Sequence, residues 1–131
     1  MKMSWILASA LVAATPGMAW AGEAPAGNAA VGQKLFIQCR ACHTVDGSAA
    51  HTIGPNLNGV VGARAGARKG YTYSQAMAAS GLVWNAKTLD RFLTRPSTAV
   101  PGTKMAFAGI AAPKARADMI AYLATLRPSR R

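Results

Sequence analysis

Residues 37–46, IQCRACHTVD, contain both cysteines of the chain and one of its two histidines. Cys39, Cys42 and His43 fall within five consecutive positions. A disulfide between cysteines so spaced usually stands where a strand runs into a helix of a βαβ unit. Here the cysteines end a helical pattern with no strand before them. Zinc wants four ligands in a tetrahedron. The candidates are Cys39, Cys42, His43 and His51, but adjacent Cys42 and His43 point in different directions and there is no second cysteine pair. A blue-copper site takes two histidines, one cysteine and a weak axial methionine, which does not use two cysteines beside a histidine. Cys-x-x-Cys-His is the attachment pattern of c-type haem. Its spacing brings both thiols to one side of a helical turn, where they can add to the vinyl groups along one porphyrin edge. The next residue projects over the ring. Cys39 and Cys42 then become thioethers and His43 the proximal iron ligand, and the single motif implies one haem.

Outward from this stretch the pattern is helix and loop. Asn28 is placed to cap a helix running to Gln38. Residues 44–72 read as loop, broken by Gly47, Gly54-Pro55, Gly59, Gly62, Gly66 and Gly70. So long a loop in a small domain calls for something beneath it. A short helix fits 74–79, and Asn85 caps another through Leu89, Phe92 and Leu93 that ends before Pro96. Residues 96–112 read as irregular, with a turn at Pro101-Gly102. Pro113 opens a last helix whose apolar face is Ile120, Leu123 and Leu126, widened by Met119 and Tyr122. Pro128 stops it, with Arg127, Arg130 and Arg131 expected at its negative end. No strand or internal repeat is evident. The expectation is an all-α domain of about four short helices and long loops, with too few apolar side chains to fill it without a large apolar ligand.

The chain opens Met1-Lys2, runs through an apolar stretch over 5–14 and reaches Ala19-Trp20-Ala21. That is the grammar of a secretory signal cleaved after Ala21. Broken by Pro16-Gly17, the stretch is too short to span a bilayer comfortably. Residues 1–21 are therefore expected to be removed, leaving 22–131 as a single soluble domain in the periplasm. The formal net charge is +11, with only four acids. Such a surface attracts acidic partners, with at most peripheral contact with anionic membrane. Basic residues are not interleaved with aromatics in a stripe, so no nucleic acid is expected.

The second axial position decides the chemistry: open, it permits gas or peroxide binding; filled, it leaves electron transfer. Met77, Met105 and Met119 remain after signal removal. Met119 sits on the apolar face of the last helix and reads as core, and Met77 as packing in the short helix. Met105 follows Pro101-Gly102-Thr103-Lys104, a turn that can drive an extended loop inward. A thioether ligand stabilises ferrous iron and raises the potential. His51 reads as a hydrogen-bond tether between loops.

From Gly32 to Leu126 the chain resembles the small class I cytochromes c. The likeness rests on Gly32-x-x-x-Phe36, HTIGPNLNGVVG at 51–62, GYTYS at 70–74, Trp84, PGTKMAFAGI at 101–110 and ADMIAYL at 117–123. The resemblance implies the class I cytochrome c fold around one covalently bound haem c. The first and last helices would cross at Gly32, with Phe36 and Tyr122 packed there. It implies Met105 as distal ligand and the Pro55 carbonyl as acceptor of the proximal histidine's other N–H. Tyr73, Trp84 and Thr103 would bond a haem propionate, Phe107 would flank the exposed haem edge, and Lys104 would lie on a basic docking rim. The implied function is one-electron transfer, with no substrate turned over, by a monomer. Its partners would present acidic patches, on an oxidase, a reaction centre, a quinol-oxidising complex or a dehydrogenase.

Three positions depart from the family. Ala63, with Arg64 one step on, stands where an arginine often pairs with a propionate. Phe92 replaces a tyrosine whose hydroxyl bonds toward the methionine sulfur, and Met77 replaces an asparagine that helps hold a buried water. These imply a drier pocket with a shifted potential. Two other functions fit less well. A peroxide-acting haem enzyme lacks its distal His-Arg pair, because His51 is the only spare histidine. A haem subunit dedicated to one exported dehydrogenase would show a large exposed apolar patch.

Overall fold

The computed structural model describes residues 26–128. The expected signal segment, Arg130 and Arg131 lie outside the described residues. The elements are α1 (Ala29–Leu35), extended by a 3₁₀ turn over Phe36–Gln38, then α2 (Gln75–Ala79), α3 (Ala86–Thr94), α4 (Pro96–Ala99) and α5 (Pro113–Thr125). The architecture is all-α as expected. Among the described residues the only bridge is an antiparallel pairing of Arg64 with Val83.

Local chemistry accounts for the starts. The Asn28 carboxamide oxygen accepts from the Ala30 and Val31 amides at 3.0 and 3.2 Å. Ser74 Oγ accepts from Met77 N at 3.1 Å. Asn85 and Thr88 form a reciprocal capping box. The helix expected to end before Pro96 does so, but the segment after it is not wholly irregular. Arg95 is extended, and Pro96 starts α4 at a position where its missing N–H costs nothing. Apolar periodicity could not reveal a helix of four residues. A second correction concerns the last helix. α5 ends at Thr125, so Arg127 lies beyond it and no basic residue sits in its last turn.

α1 and α5 cross tightly. Gly32 is buried, and a Cβ there would run into the Asp118 carbonyl and the Tyr122 Cβ. Gly27, just ahead of α1, meets Ala117 and Ala121 in the same way. The Phe36 and Tyr122 rings lie 5.3 Å apart at 58°, and Phe36 and Met119 are among the fully buried side chains. Asp118 adds a polar clasp, accepting from Asn28 N at 2.6 Å and from Lys114 Nζ. α3 joins α5 through Arg116, whose Nε donates to Asp90 Oδ1 at 2.7 Å. Its Nη1 donates to the Ile110 and Ala111 carbonyls, at 2.9 Å each. Leu89, Phe92 and Leu93 of α3 complete the core with Trp84, Met119 and Leu123.

Gly32→Ala should destabilise the fold. The helix-propensity gain of about 1 kcal/mol is outweighed by the backbone clash, for a net loss of about 2 kcal/mol in denaturant unfolding. The Asp118 carboxyl is held below the usual carboxylate range by Lys114, then by the Asn28 amide. Its stabilising contribution is therefore present above the unfolded-state pKa and is lost as pH falls through the lower folded value. Asp118→Asn should remove that part of the acid-side slope in a series of unfolding curves against pH.

Candidate functional site

The first helix delivers the cysteines. After the 3₁₀ turn the chain keeps coiling, with Cys39 N bonded to Phe36 O at 2.8 Å and His43 N to Cys39 O at 2.9 Å. Cys39 and Cys42 are half-buried and unbridged. Burial, and then the neighbouring Cys42, push the Cys39 thiol up to about 11. The His43 Nδ1 lies 2.7 Å from the Pro55 carbonyl oxygen. That oxygen can only accept, so Nδ1 carries the proton and Nε2 keeps its lone pair. Burial lowers the His43 pKa, with the Pro55 bond opposing, and the neutral ring that results is the metal-binding form. Gly54 makes room for it, because a Cβ there would strike the imidazole.

These residues line a cleft of about 560 Å³, within the roughly 300–1,000 Å³ range of cofactor sites. Every site residue expected from the sequence borders it: Cys39, Cys42, His43, Pro55, Tyr73, Trp84, Thr103, Met105 and Phe107. Met105 is half-buried, its amide 3.3 Å from Thr103 Oγ1. Close-packed interiors hold few voids larger than a water molecule, so a cleft of this size is a binding site. Its chemistry fits a haem: an apolar wall, two unbridged thiols, a ligand-competent imidazole and a soft thioether. Met77 and Phe92 belong to that wall, and Phe92 packs on Trp84 with ring centroids 5.0 Å apart.

His51 stands outside the cleft lining. The Asn56 amide donates to its Nδ1 at 3.0 Å, so the proton is on Nε2, which donates to the Lys69 carbonyl at 2.9 Å. It is the tether between loops that the sequence suggested. Lys104 borders the cleft, but its ammonium donates to the Thr72 carbonyl and lies 4.5 Å from the Tyr71 ring centroid. Two contributors went unread in the sequence. Tyr71, inside the GYTYS segment, donates its hydroxyl to the Ile53 carbonyl at 2.7 Å. Arg68 is half-buried in the cleft wall, its Nη2 2.7 Å from the Asn58 carbonyl oxygen. No periodicity marks either one; their partners lie 18 and 10 residues away.

An all-α chain with this cleft and these donors defines a c-type haem protein. The comparisons agree. The family model for cytochrome c matches residues 29–127. Cytochrome c2 of Rhodomicrobium vannielii is 48% identical over 109 residues, covering 82% of this chain and 87% of the relative. Cytochrome c of Tetrahymena pyriformis is 52% identical over 100 residues, covering 76% and 89%. The solved structure of cytochrome cH from Methylobacterium extorquens superposes with a TM-score of 0.72 at 48% identity, covering 76% of this chain and 99% of that one. The chain belongs to the cytochrome c family. It is a small soluble class I member and a one-electron carrier, not an enzyme, with one covalently bound haem c in His/Met ligation.

Phe92→Tyr places a hydroxyl in the apolar wall. Unless it finds the methionine sulfur it costs roughly 1–3 kcal/mol in denaturant unfolding, and in either case the reduction potential should move. Identical potential and stability in the variant would contradict the dry wall.

Proposed function

We propose that Cys39 and Cys42 carry the haem as thioethers and that His43 and Met105 are its axial ligands. The protein is an exported carrier passing single electrons between redox proteins of the periplasm. When bound, the haem supplies an iron that alternates between Fe(III) and Fe(II). One observation carries the assignment. The His43 Nδ1 is committed to Pro55 O at 2.7 Å, while the ring borders the same cleft as both thiols and Met105. The Pro55 carbonyl fixes the tautomer and the ring angle, as the outer partner of a ligating histidine does. Met105 supplies a soft sulfur that favours the ferrous state. Phe92, Met77, Leu89 and Leu93 keep water from the cleft. Tyr73, Trp84 and Thr103 offer their polar tips to the propionates, and Phe107 flanks the exposed edge.

Export rests on the 1–21 signal pattern, which leaves 22–131 as the mature domain. Docking rests on charge. The net charge is +11, and the acids among the described residues are all engaged: Asp46 by Ser48 and Asn56, Asp90 by Arg116, Asp118 by Lys114 and Asn28. A surface so poor in free acid is steered toward acidic patches on an oxidase, a reaction centre, a quinol-oxidising complex or a dehydrogenase. Association should slow as salt rises.

The test is an optical spectrum of the reduced protein before and after carbon monoxide. The natural protein should not change, because the thioether holds the distal position, and Met105→Ala should shift rapidly and completely. A complete shift in the natural protein would remove Met105 from its role and turn attention to gas or peroxide chemistry.

A further inference from the structure

The cleft wall contains three permanent or near-permanent cations, Arg64, Arg68 and Lys104, and no aspartate or glutamate. The described acids are all engaged elsewhere, as set out above. Whatever anion balances the wall therefore arrives with the occupant. The three cations are not equivalent. Lys104 is occupied by the Thr72 carbonyl and the Tyr71 ring. Arg64 is exposed. Arg68 is half-buried, and among the described residues its one side-chain hydrogen bond is the Nη2 contact with Asn58 O at 2.7 Å. A guanidinium has five N–H donors in a rigid fork, so several remain to be matched. The anchor is firm: Asn58 N donates at 2.8 Å to Asn56 Oδ1, and Asn56 is fully buried. Arg68 also stands beside Tyr73 on the cleft wall; burial raises the Tyr73 hydroxyl pKa, and the charge and backbone of Arg68 oppose that rise.

We propose that Arg68 is a positioning residue for the cofactor, its guanidinium fork binding a carboxylate of the haem beside Tyr73. The inference rests on the haem reading above. A planar fork held at one corner by a backbone carbonyl is preorganised for a carboxylate in a way that a mobile lysine is not. Two consequences follow for the iron. A cation fixed near it disfavours Fe(III) and raises the potential. The same cation keeps the carboxylate ionised to well below neutral pH, so the potential is level where an unpaired, part-buried carboxylate would titrate.

The experiment compares holoproteins: natural, Arg68→Leu, Arg68→Lys and Arg64→Leu. Equilibrium reduction potentials are measured at constant ionic strength from about pH 5 to 8, the window into which lost pairing and burial would raise a carboxylate. Absorbance checks covalent haem and axial ligation throughout. In Arg68→Leu the potential should fall with rising pH across this window, as the freed carboxylate ionises and favours Fe(III). It should end below the natural value. Arg68→Lys should restore part of the difference, and Arg64→Leu, whatever its offset, should keep the natural protein's level pH dependence. The other titratable groups on the wall, Cys39, Cys42, His43, Tyr71, Tyr73 and Lys104, and His51 on the neighbouring Lys69 carbonyl are common to all four proteins. The difference between curves therefore reports the carboxylate. If Arg68→Leu does not accumulate, Arg68→Gln, which can keep a donor toward Asn58, carries the same expectation. Superimposable curves for Arg68→Leu and the natural protein, or the change appearing in Arg64→Leu instead, would overturn the assignment. So would a phosphate-dependent potential in the natural protein that Arg68→Leu lacks, which places a solvent anion at the guanidinium. A natural protein without covalent haem would instead sink the functional reading, before Arg68 enters.

Discussion

The contact of Gly32 with the backbone of α5 is the constraint on which the remainder depends. It lets two helices from opposite ends of the chain approach to a distance that any side chain would prevent. Around it gather the Phe36–Tyr122 ring pair, buried Met119 and the Asp118 clasp on Asn28. The segment bearing Cys39, Cys42 and His43 continues directly from α1. The crossing therefore sets where the thiols and the imidazole stand. Burial of apolar surface holds the crossing together, and the polar clasp fixes its register.

The long loop over 44–72 obeys a different logic. Beyond the short antiparallel pairing at Arg64 and Val83, it is organised by side chains reaching to main-chain groups: His51 to Lys69, Asn56 to Asp46, Arg68 to Asn58 and Tyr71 to Ile53. Buried polar groups in such a loop must find partners, and the result is a wall rather than a mobile flap. Gly54 and Pro55 form its most exacting part. One yields space to the His43 ring and the other supplies the carbonyl that fixes its tautomer.

Electrostatics divide the molecule. Acids are few and serve structural contacts, so positive charge is left for the surface and the cleft rim. The cleft is apolar where Met77 and Phe92 stand, and polar side chains, Tyr71, Tyr73, Trp84, Thr103 and the basic residues among them, line other parts of it. An iron in such surroundings is tuned by low polarity on one part of the wall and by fixed charge on another, two of the levers by which a protein sets a redox potential.

Much was legible in the sequence because its information is local. The Cys-x-x-Cys-His spacing, the caps Asn28 and Asn85, and the Pro101-Gly102 turn before Met105 each act within a few residues, and the structure places each as read; Ser74, read as the first residue of its helix, is instead the cap. The Phe36–Tyr122 crossing and the cleft residues Pro55, Tyr73, Trp84, Thr103 and Phe107 came from resemblance, and the geometry gathers them with the motif residues. Tertiary structure alone decided the rest. α4 is too short to carry a period. Arg127 falls beyond a helix end that pattern cannot locate to the residue. Lys104 turned out to be engaged by Tyr71 and Thr72, and Arg68, rather than Arg64, to be the half-buried guanidinium. Which cation is anchored and which is free depends on carbonyls and rings brought together by loop packing. Local residue patterns do not specify those long-range approaches.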